Sequence, residues 1–250
     1  MVSMNWKNVI VILLDVALVV YLTLAITVFN TPEEKATVCS EVNIHIADEP
    51  TSGFLNPSEV KRLLNAQRAY PLAQPMQFVS TRQMEEVLRQ SPFVESVECY
   101  KTQNGHVCIN LTQRRPVLYV MTTKGEQYYI DDHGDVLPHS HHAGHLLVAT
   151  GDISRNYAQS KLGPIAQQII DDQFWHDQTV QLNVLADGTL ELVPRVGDHI
   201  VYLGQPVGIA KKLERLRKFY KYGLSHAGWD RYERINVEFD NQIICKKRSS

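Results

Sequence analysis

The chain has 250 residues, of which 44% are hydrophobic and 21% are charged, so it holds enough apolar material for one or two globular domains. The formal net charge is −2 and no long basic run occurs, which argues against a nucleic acid as partner. Four irregularly spaced cysteines form no C-x-x-C pair, so neither a disulfide-rich scaffold nor a redox or zinc motif is predicted.

The first predicted element is an apolar stretch over residues 9–29, interrupted only by Asp15 and two threonines. As a helix it would be about 30 Å long, which matches the hydrocarbon core of a bilayer. We therefore expect one transmembrane helix, preceded by a cytoplasmic N-terminus over residues 1–8 and followed by a linker over residues 30–37. A cleaved signal peptide is the alternative, but its apolar stretch would be shorter and a small-x-small cleavage site would follow it.

Charges on the two sides of this stretch predict its orientation. Lys7 and the free amine precede it, whereas Glu33 and Glu34 follow it, so the positive-inside rule places nearly all of the remaining chain outside the cytoplasm. Asp15 is costly inside a bilayer, and we expect it either to contact a partner's membrane helix or to reach towards the interface.

Residues 38–116 predict a compact α+β module in the order strand, helix, helix, strand, strand. Alternating apolar residues indicate a strand over residues 41–47. Capping patterns that start at Asn56 and at Ser80 predict the beginnings of two short helices with one apolar face each. A hairpin is expected over residues 93–120, with its loop ending at Gly105. The two helices should cover one face of this small sheet.

The hairpin also constrains two of the cysteines. If Val97 and Cys99 share the core face with Ile109 and its apolar neighbours, opposed positions must sum to an even number, which an odd-length loop provides. Cys108 then faces away from Cys99, so two free thiols are favoured over a disulfide between them.

Residues 117–250 predict a second, mostly antiparallel β domain made of short strands separated by turn residues. Two helices interrupt it, one after Gly163-Pro164 and one over residues 207–222. The chain closes with two alternating runs, residues 234–239 and 242–246, around a turn at Asp240-Asn241. A final strand at a sheet edge either packs as an ordinary core strand or offers unpaired backbone groups to another chain.

Possible metal and catalytic sites are few. His139, His141, His142 and His145 could converge on zinc or copper, but no carboxylate or cysteine completes a familiar ligand set, and a solvated loop is favoured. The acidic run at residues 131–135 predicts a β-turn rather than a calcium loop. No nucleophile elbow, paired-histidine motif or carboxylate pair suggests an enzyme, and no cofactor or small-molecule substrate is predicted.

The order of these features carries a resemblance. One membrane span leads into a strand-helix-helix-hairpin module ending in FVESVECYKTQNGHVCINLTQRRPVLYV, then YYIDDHGDVLP, LLVATGDI, a late YLG before a long helix, and a closing INVEFDNQIICKK. This succession resembles the FtsQ (DivIB) family of bacterial cell-division proteins over essentially the whole chain.

The resemblance implies a POTRA domain followed by a β domain, and a non-enzymatic scaffold in the inner membrane at the division septum, with its bulk in the periplasm. Its expected partners are the FtsB-like and FtsL-like division proteins, whose complex activates septal peptidoglycan synthesis. A partner segment would add to the last strand. The implied partner-binding residues are Phe239, Asn241, Gln242, Ile243, Ile244 and, at the rim, Arg234. Gln205 stands where some relatives carry a basic residue, so a corresponding salt bridge is in doubt.

Two alternatives from other classes remain open. A periplasmic chaperone or secretion factor also uses POTRA modules, although several in tandem or a barrel would be expected with it. A metal-binding envelope protein would depend on the loop from His139 to His145 alone.

Overall fold

The computed structural model describes residues 6–27, 37–47, 54–140 and 146–248. These residues form an N-terminal helix, a three-stranded sheet with two helices, and a nine-stranded sheet with two helical segments. The α+β fold predicted from the sequence, with a small βααββ module before a mostly β domain, is confirmed.

Helix α1 runs from Trp6 to Thr27 and covers most of the predicted membrane span. Its described apolar side chains from Ile12 onwards are largely exposed, and Asp15 is exposed as well. Among the residues that the structure describes, no helix has both the length and the apolar character that a membrane crossing requires. The predicted transmembrane helix is therefore not supported by the structure.

The first module has a three-stranded sheet in the order β1-β3-β2, with β1 parallel to β3 and β2 antiparallel to it. Its elements are β1 (Glu41–Ala47), α2 (Pro57–Ala66), α3 (Thr81–Arg89), β2 (Val94–Lys101) and β3 (His106–Gln113).

Side-chain caps begin both helices of this module, as the sequence predicts. The Asn56 side chain accepts a hydrogen bond from the Glu59 amide at 3.0 Å, and Ser80 Oγ accepts one from the Gln83 amide at 3.2 Å. Each cap satisfies a helix amide that has no partner within the helix. The apolar faces of the helices then pack on the sheet, with Leu64 among their fully buried side chains.

The register of the hairpin confirms the predicted parity. Val97 pairs with Leu111 and Cys99 with Ile109, and all four side chains are buried. Cys108 and the residue with which it pairs lie on the face of the sheet opposite to Cys99, and the four cysteines of the chain are free.

The second sheet has nine strands in the order β12-β11-β10-β9-β8-β7-β4-β5-β6. Five of its neighbouring pairs are antiparallel, and the pairs β4–β7, β7–β8 and β10–β11 are parallel. The strands are β4 (Pro116–Thr122), β5 (Gln127–Asp131), β6 (Val136–Pro138), β7 (Leu147–Gly151), β8 (Thr179–Val184), β9 (Leu190–Pro194), β10 (Ile200–Gly204), β11 (Tyr232–Asn236) and β12 (Ile244–Lys247). Helical crossovers explain the parallel direction of β7–β8 and β10–β11, because neighbouring parallel strands need a long connection, which is usually a helix.

The first crossover begins earlier than the sequence predicts. Ser154 caps α4 (Arg155–Tyr157), a π-helical turn follows, and α5 (Gly163–Asp171) continues the same segment before α6 (Gln173–Gln178). A proline donates no amide hydrogen bond, and the wider π-helical turn (Ala158–Leu162) ends just before Gly163-Pro164. The helix therefore continues through a site where the sequence suggests a start.

The second crossover is α7 (Ile209–Phe219), which continues through a π-helical turn (Tyr220–Leu224) into α8 (Ser225–Ala227). Both crossovers cover the same apolar face of the nine-stranded sheet and form its main core.

The two sheets are joined by a small aromatic core. Phe54 stacks on Phe93 with ring centroids 4.9 Å apart and meets the edge of Tyr129 at 5.1 Å. Beside it, Arg114 Nη1 donates to Asp131 Oδ2 at 3.0 Å, and the Asp131 side chain is fully buried. These contacts fix the first module against the β domain.

Candidate functional site

The last strand, β12, forms one end of the nine-stranded sheet and pairs only with β11 among the described strands. Its outer side therefore presents backbone amides and carbonyls to which a further strand can bind. Ile244, the first residue of β12, is 51% exposed, and Phe239 in the preceding turn is 48% exposed. An open strand edge beside two exposed apolar side chains suits a peptide that adds backbone and side-chain contacts together.

The edge strand β2 is protected by α3. Glu85 Oε1 accepts a hydrogen bond from the Cys99 amide at 2.9 Å, and Arg89 donates to the Val97 carbonyl at 3.3 Å. The hydrogen bond from the Cys99 amide lowers the pKa of the Glu85 carboxyl. Side chains therefore occupy backbone groups that an added strand would need.

The two remaining edges also differ from β12. Strand β6 has three residues and ends in Pro138, which offers no amide. Strand β1 presents polar side chains outward, with Glu41, Asn43 and His45 exposed. Of the described edges, β12 combines an open backbone with apolar side chains.

The predicted partner-binding residues converge around β12. Asn241 adopts a left-handed conformation with φ 62°, which turns the chain before the strand, and Gln242 is exposed beside it. Ile243 is partly buried against the main core and anchors the return of the chain. The predicted strand over residues 242–246 in fact begins at Ile244.

Arg234 lies on β11, one strand inside the edge. Its Nη1 is 2.9 Å from Glu191 Oε1, and its guanidinium lies 4.7 Å from the centre of the Tyr202 ring. Arg234 pairs with Lys246 of β12, so the two side chains share a face. The next residue, Ile235, is buried in the main core under the helices, so Arg234 and Lys246 lie on the opposite face of the sheet. Asp15 belongs to α1 and is not part of this site.

The histidine loop is described only in part. His139 stacks on Tyr119 and Tyr129 with ring centroids 5.9 Å and 6.2 Å away, so it belongs to the aromatic region between the modules. His141, His142 and His145 lie outside the described residues.

The acidic run forms the predicted turn, with Gly134 at φ 85°. Asp131, Asp132 and His133 bring possible ligand atoms within 4.8 Å of one another. Asp131 Oδ1 already accepts from the amides of His133 and Asp135, and its Oδ2 accepts from Arg114. These bonds account for the position of the carboxylate without a cation.

Helix α7 carries functional candidates that sequence reasoning missed. The buried Lys212 ammonium donates to the carbonyls of Leu203 and Gln205, each at 2.8 Å, and burial lowers its pKa. Arg215, three residues on, donates to the carbonyl of Val237 at 2.6 Å. In the sequence, Lys212 and Arg215 are recognisable only as two cations three positions apart on one face of an amphipathic helix. That spacing does not indicate that backbone carbonyls are their partners.

A buried histidine lies in the same domain. His199 Nε2 is 2.8 Å from the Tyr220 hydroxyl, and the Trp229 ring stacks on the imidazole at 6.5 Å. Burial lowers the pKa of His199 and raises that of Tyr220. This group belongs to the core under α7 rather than to the open edge.

The comparisons with known proteins agree with this architecture. Residues 37–112 match a POTRA-like domain, and residues 115–246 match the family model described as FtsQ/DivIB, C-terminal related. A POTRA-like module followed by such a domain is the arrangement of a cell-division scaffold, and it supports that role for this chain. The chain belongs to the FtsQ/DivIB family, a family of non-enzymatic division scaffolds whose partners are other divisome proteins. The comparison with curated proteins returned no match.

Proposed function

We propose that this chain captures an extended segment of an FtsB-like division protein by adding it as a strand to β12. The captured protein and an FtsL-like protein then connect the scaffold to septal peptidoglycan synthesis. The observation that carries the proposal is the open β12 edge beside exposed Ile244 and Phe239. The helices that cover one face of the sheet also support the proposal. They complete the core of the domain, so the β12 edge needs no further strand of this chain.

Two neighbouring proline variants test strand addition. Amides of successive strand residues point to opposite sides of a strand, so of Ile244 and Cys245 one amide faces β11 and the other faces outward. Ile244→Pro and Cys245→Pro should therefore behave differently. The variant at the outward amide should keep the melting temperature and lose capture of the FtsB-like segment, because proline removes a donor and obstructs the added strand. The other should lose stability.

Lys246→Ala is the matched control, because it changes an exposed side chain of the same strand without removing a backbone donor. Capture should be nearly unchanged in this variant. Titration calorimetry with the full-length chain in detergent measures each affinity, and thermal melts measure each stability. Wild-type affinity in the proline variant that keeps its melting temperature would exclude strand addition at β12.

We also propose that the apolar run over residues 9–29, which continues beyond the described end of α1, attaches the chain to the inner membrane, with the N-terminus in the cytoplasm and the remainder in the periplasm at the septum. The proposal rests on the apolar run over residues 9–29 and on the exposed apolar side chains of α1, such as Ile26 at 68%. Asp15 would then face a partner's helix. Protease added to intact spheroplasts should digest the region beyond residue 30, and protection of that region would refute this topology.

A further inference from the structure

The turn between β11 and β12 is held at its two ends by different contacts. At its start, the Val237 amide donates to the Tyr202 carbonyl at 3.0 Å, and the Glu238 amide donates to the Asn236 side chain at 2.8 Å. At its end, Ile243 packs against the main core. The residues between these anchors, 239–242, are exposed.

The side chain of Arg215, on α7, contacts this turn at two points. Its Nη2 donates to the Val237 carbonyl at 2.6 Å, and its Nη1 lies 3.4 Å from Asp240 Oδ1. The Arg215 side chain is 20% exposed, so most of its surface is already packed in the protein. One guanidinium thus joins the buried start of the turn to its exposed tip.

The end of β10 leaves room for this arrangement. Gly204 has φ 68°, and a Cβ at this position would lie 2.6 Å from the Glu238 side chain. Glu238 therefore lies directly over the backbone of Gly204, next to the carbonyls that Lys212 binds. The two cations of α7 consequently act on adjoining parts of the chain, Lys212 on the end of β10 and Arg215 on the turn that leads to β12.

We propose that Arg215 is a positioning residue for partner capture. It holds the turn over residues 237–241, so that Phe239 projects beside the β12 edge before the partner binds. The inference rests on the proposed function, since it concerns the same β12 edge. A preorganised turn does not lose its conformational freedom when the partner binds, so affinity is gained without any contact between Arg215 and the partner.

Arg215→Ala should weaken binding of the FtsB-like segment by about tenfold, and amide exchange over residues 239–243 should accelerate in the free protein. Arg215→Lys keeps the positive charge but has one donor nitrogen in place of the two that contact Val237 and Asp240. It should therefore recover only part of the affinity. Asp240→Ala removes the exposed half of the contact. Because the Asp240 side chain is 87% exposed, this change cannot damage the core, and it should weaken binding by about threefold.

Lys218→Ala is the matched control, since Lys218 lies on the same helix and pairs with Glu214 at 2.7 Å. It should leave affinity and exchange at wild-type values. Wild-type affinity and wild-type exchange in Arg215→Ala would overturn the inference. A loss of affinity that follows only a lower melting temperature, with no faster exchange in the turn and no partial recovery in Arg215→Lys, would overturn it as well.

The same experiments separate this inference from the proposed function. Failure of the wild-type chain to bind the FtsB-like segment refutes capture at β12. The exchange measurement needs no partner, and it then still decides whether Arg215 holds the turn. Binding by the wild-type chain together with unchanged behaviour of Arg215→Ala and Asp240→Ala refutes the positioning role alone.

Discussion

Replacing Phe239 with alanine removes the largest exposed apolar side chain beside β12. A phenylalanine side chain has roughly 200 Å² of accessible surface, and Phe239 is 48% exposed, so about 100 Å² remains for a partner to cover. At about 25 cal/mol per Å², and allowing for the Cβ that alanine keeps, the loss is about 2 kcal/mol, or about thirtyfold in affinity. The other half of the Phe239 side chain is covered within the protein, so by the same arithmetic the free energy of unfolding should fall by up to about 2 kcal/mol, which thermal melts of the same variant measure separately.

Calorimetric titration of the full-length protein in detergent with the FtsB-like segment measures this loss. Phe78→Ala is the control, since Phe78 is 72% exposed on the first module, away from β12. It makes the same chemical change and should leave the affinity unaltered. Equal affinities for Phe239→Ala and the wild type would refute the assignment of Phe239 as an anchor, and equal losses in both variants would show that the effect is not local to β12.

Three further predictions concern stability. Arg114→Ala should cost about 2 kcal/mol in urea unfolding, because the buried Asp131 carboxylate loses a charged donor; a loss confined to the first module's own transition would contradict this. Gly151→Ala should prevent folding, since a Cβ would lie 2.0 Å from the Val184 carbonyl oxygen and φ is +118°; a soluble variant with native circular dichroism would disprove it. The lowered pKa of His199 means that the unfolded chain binds the extra proton first, so stability should fall as pH drops below about 6.5, and His199→Gln should flatten that fall in urea midpoints measured at several pH values.

Local signals in the sequence predict much of the first module. The caps at Asn56 and Ser80 place both helix starts, because capping is a contact between residues three positions apart. The even sum of opposed hairpin positions places Val97 and Cys99 in the core, because strand periodicity and a short loop fix the register together. Both inferences use only neighbouring residues and need no knowledge of the remaining fold.

The β domain shows where such signals end. Short alternating runs identify its strands, but they do not reveal that β10 and β11 are parallel, since direction depends on where the crossover helix returns the chain. The start of the first crossover at Arg155 is missed because Pro164 suggests a helix start, whereas the preceding π-helical turn lets the helix continue through it. The aromatic contact between Phe54 and Tyr129 joins residues far apart in the chain.

The candidate site combines both cases. The resemblance to the family directs attention to β12, but the reason this edge is available lies in contacts that side-chain patterns do not encode. Glu85 closes the β2 edge by accepting from a backbone amide, and Arg215 holds the turn before β12 by donating to a backbone carbonyl. In sequence, each is one charged residue on the polar side of an amphipathic helix, the same pattern that a solvated surface produces. Only the strand pairing beneath each helix shows that Glu85 covers an edge and that Arg215 contacts the turn beside an open one, so the difference between the two edges follows from tertiary structure rather than from a motif.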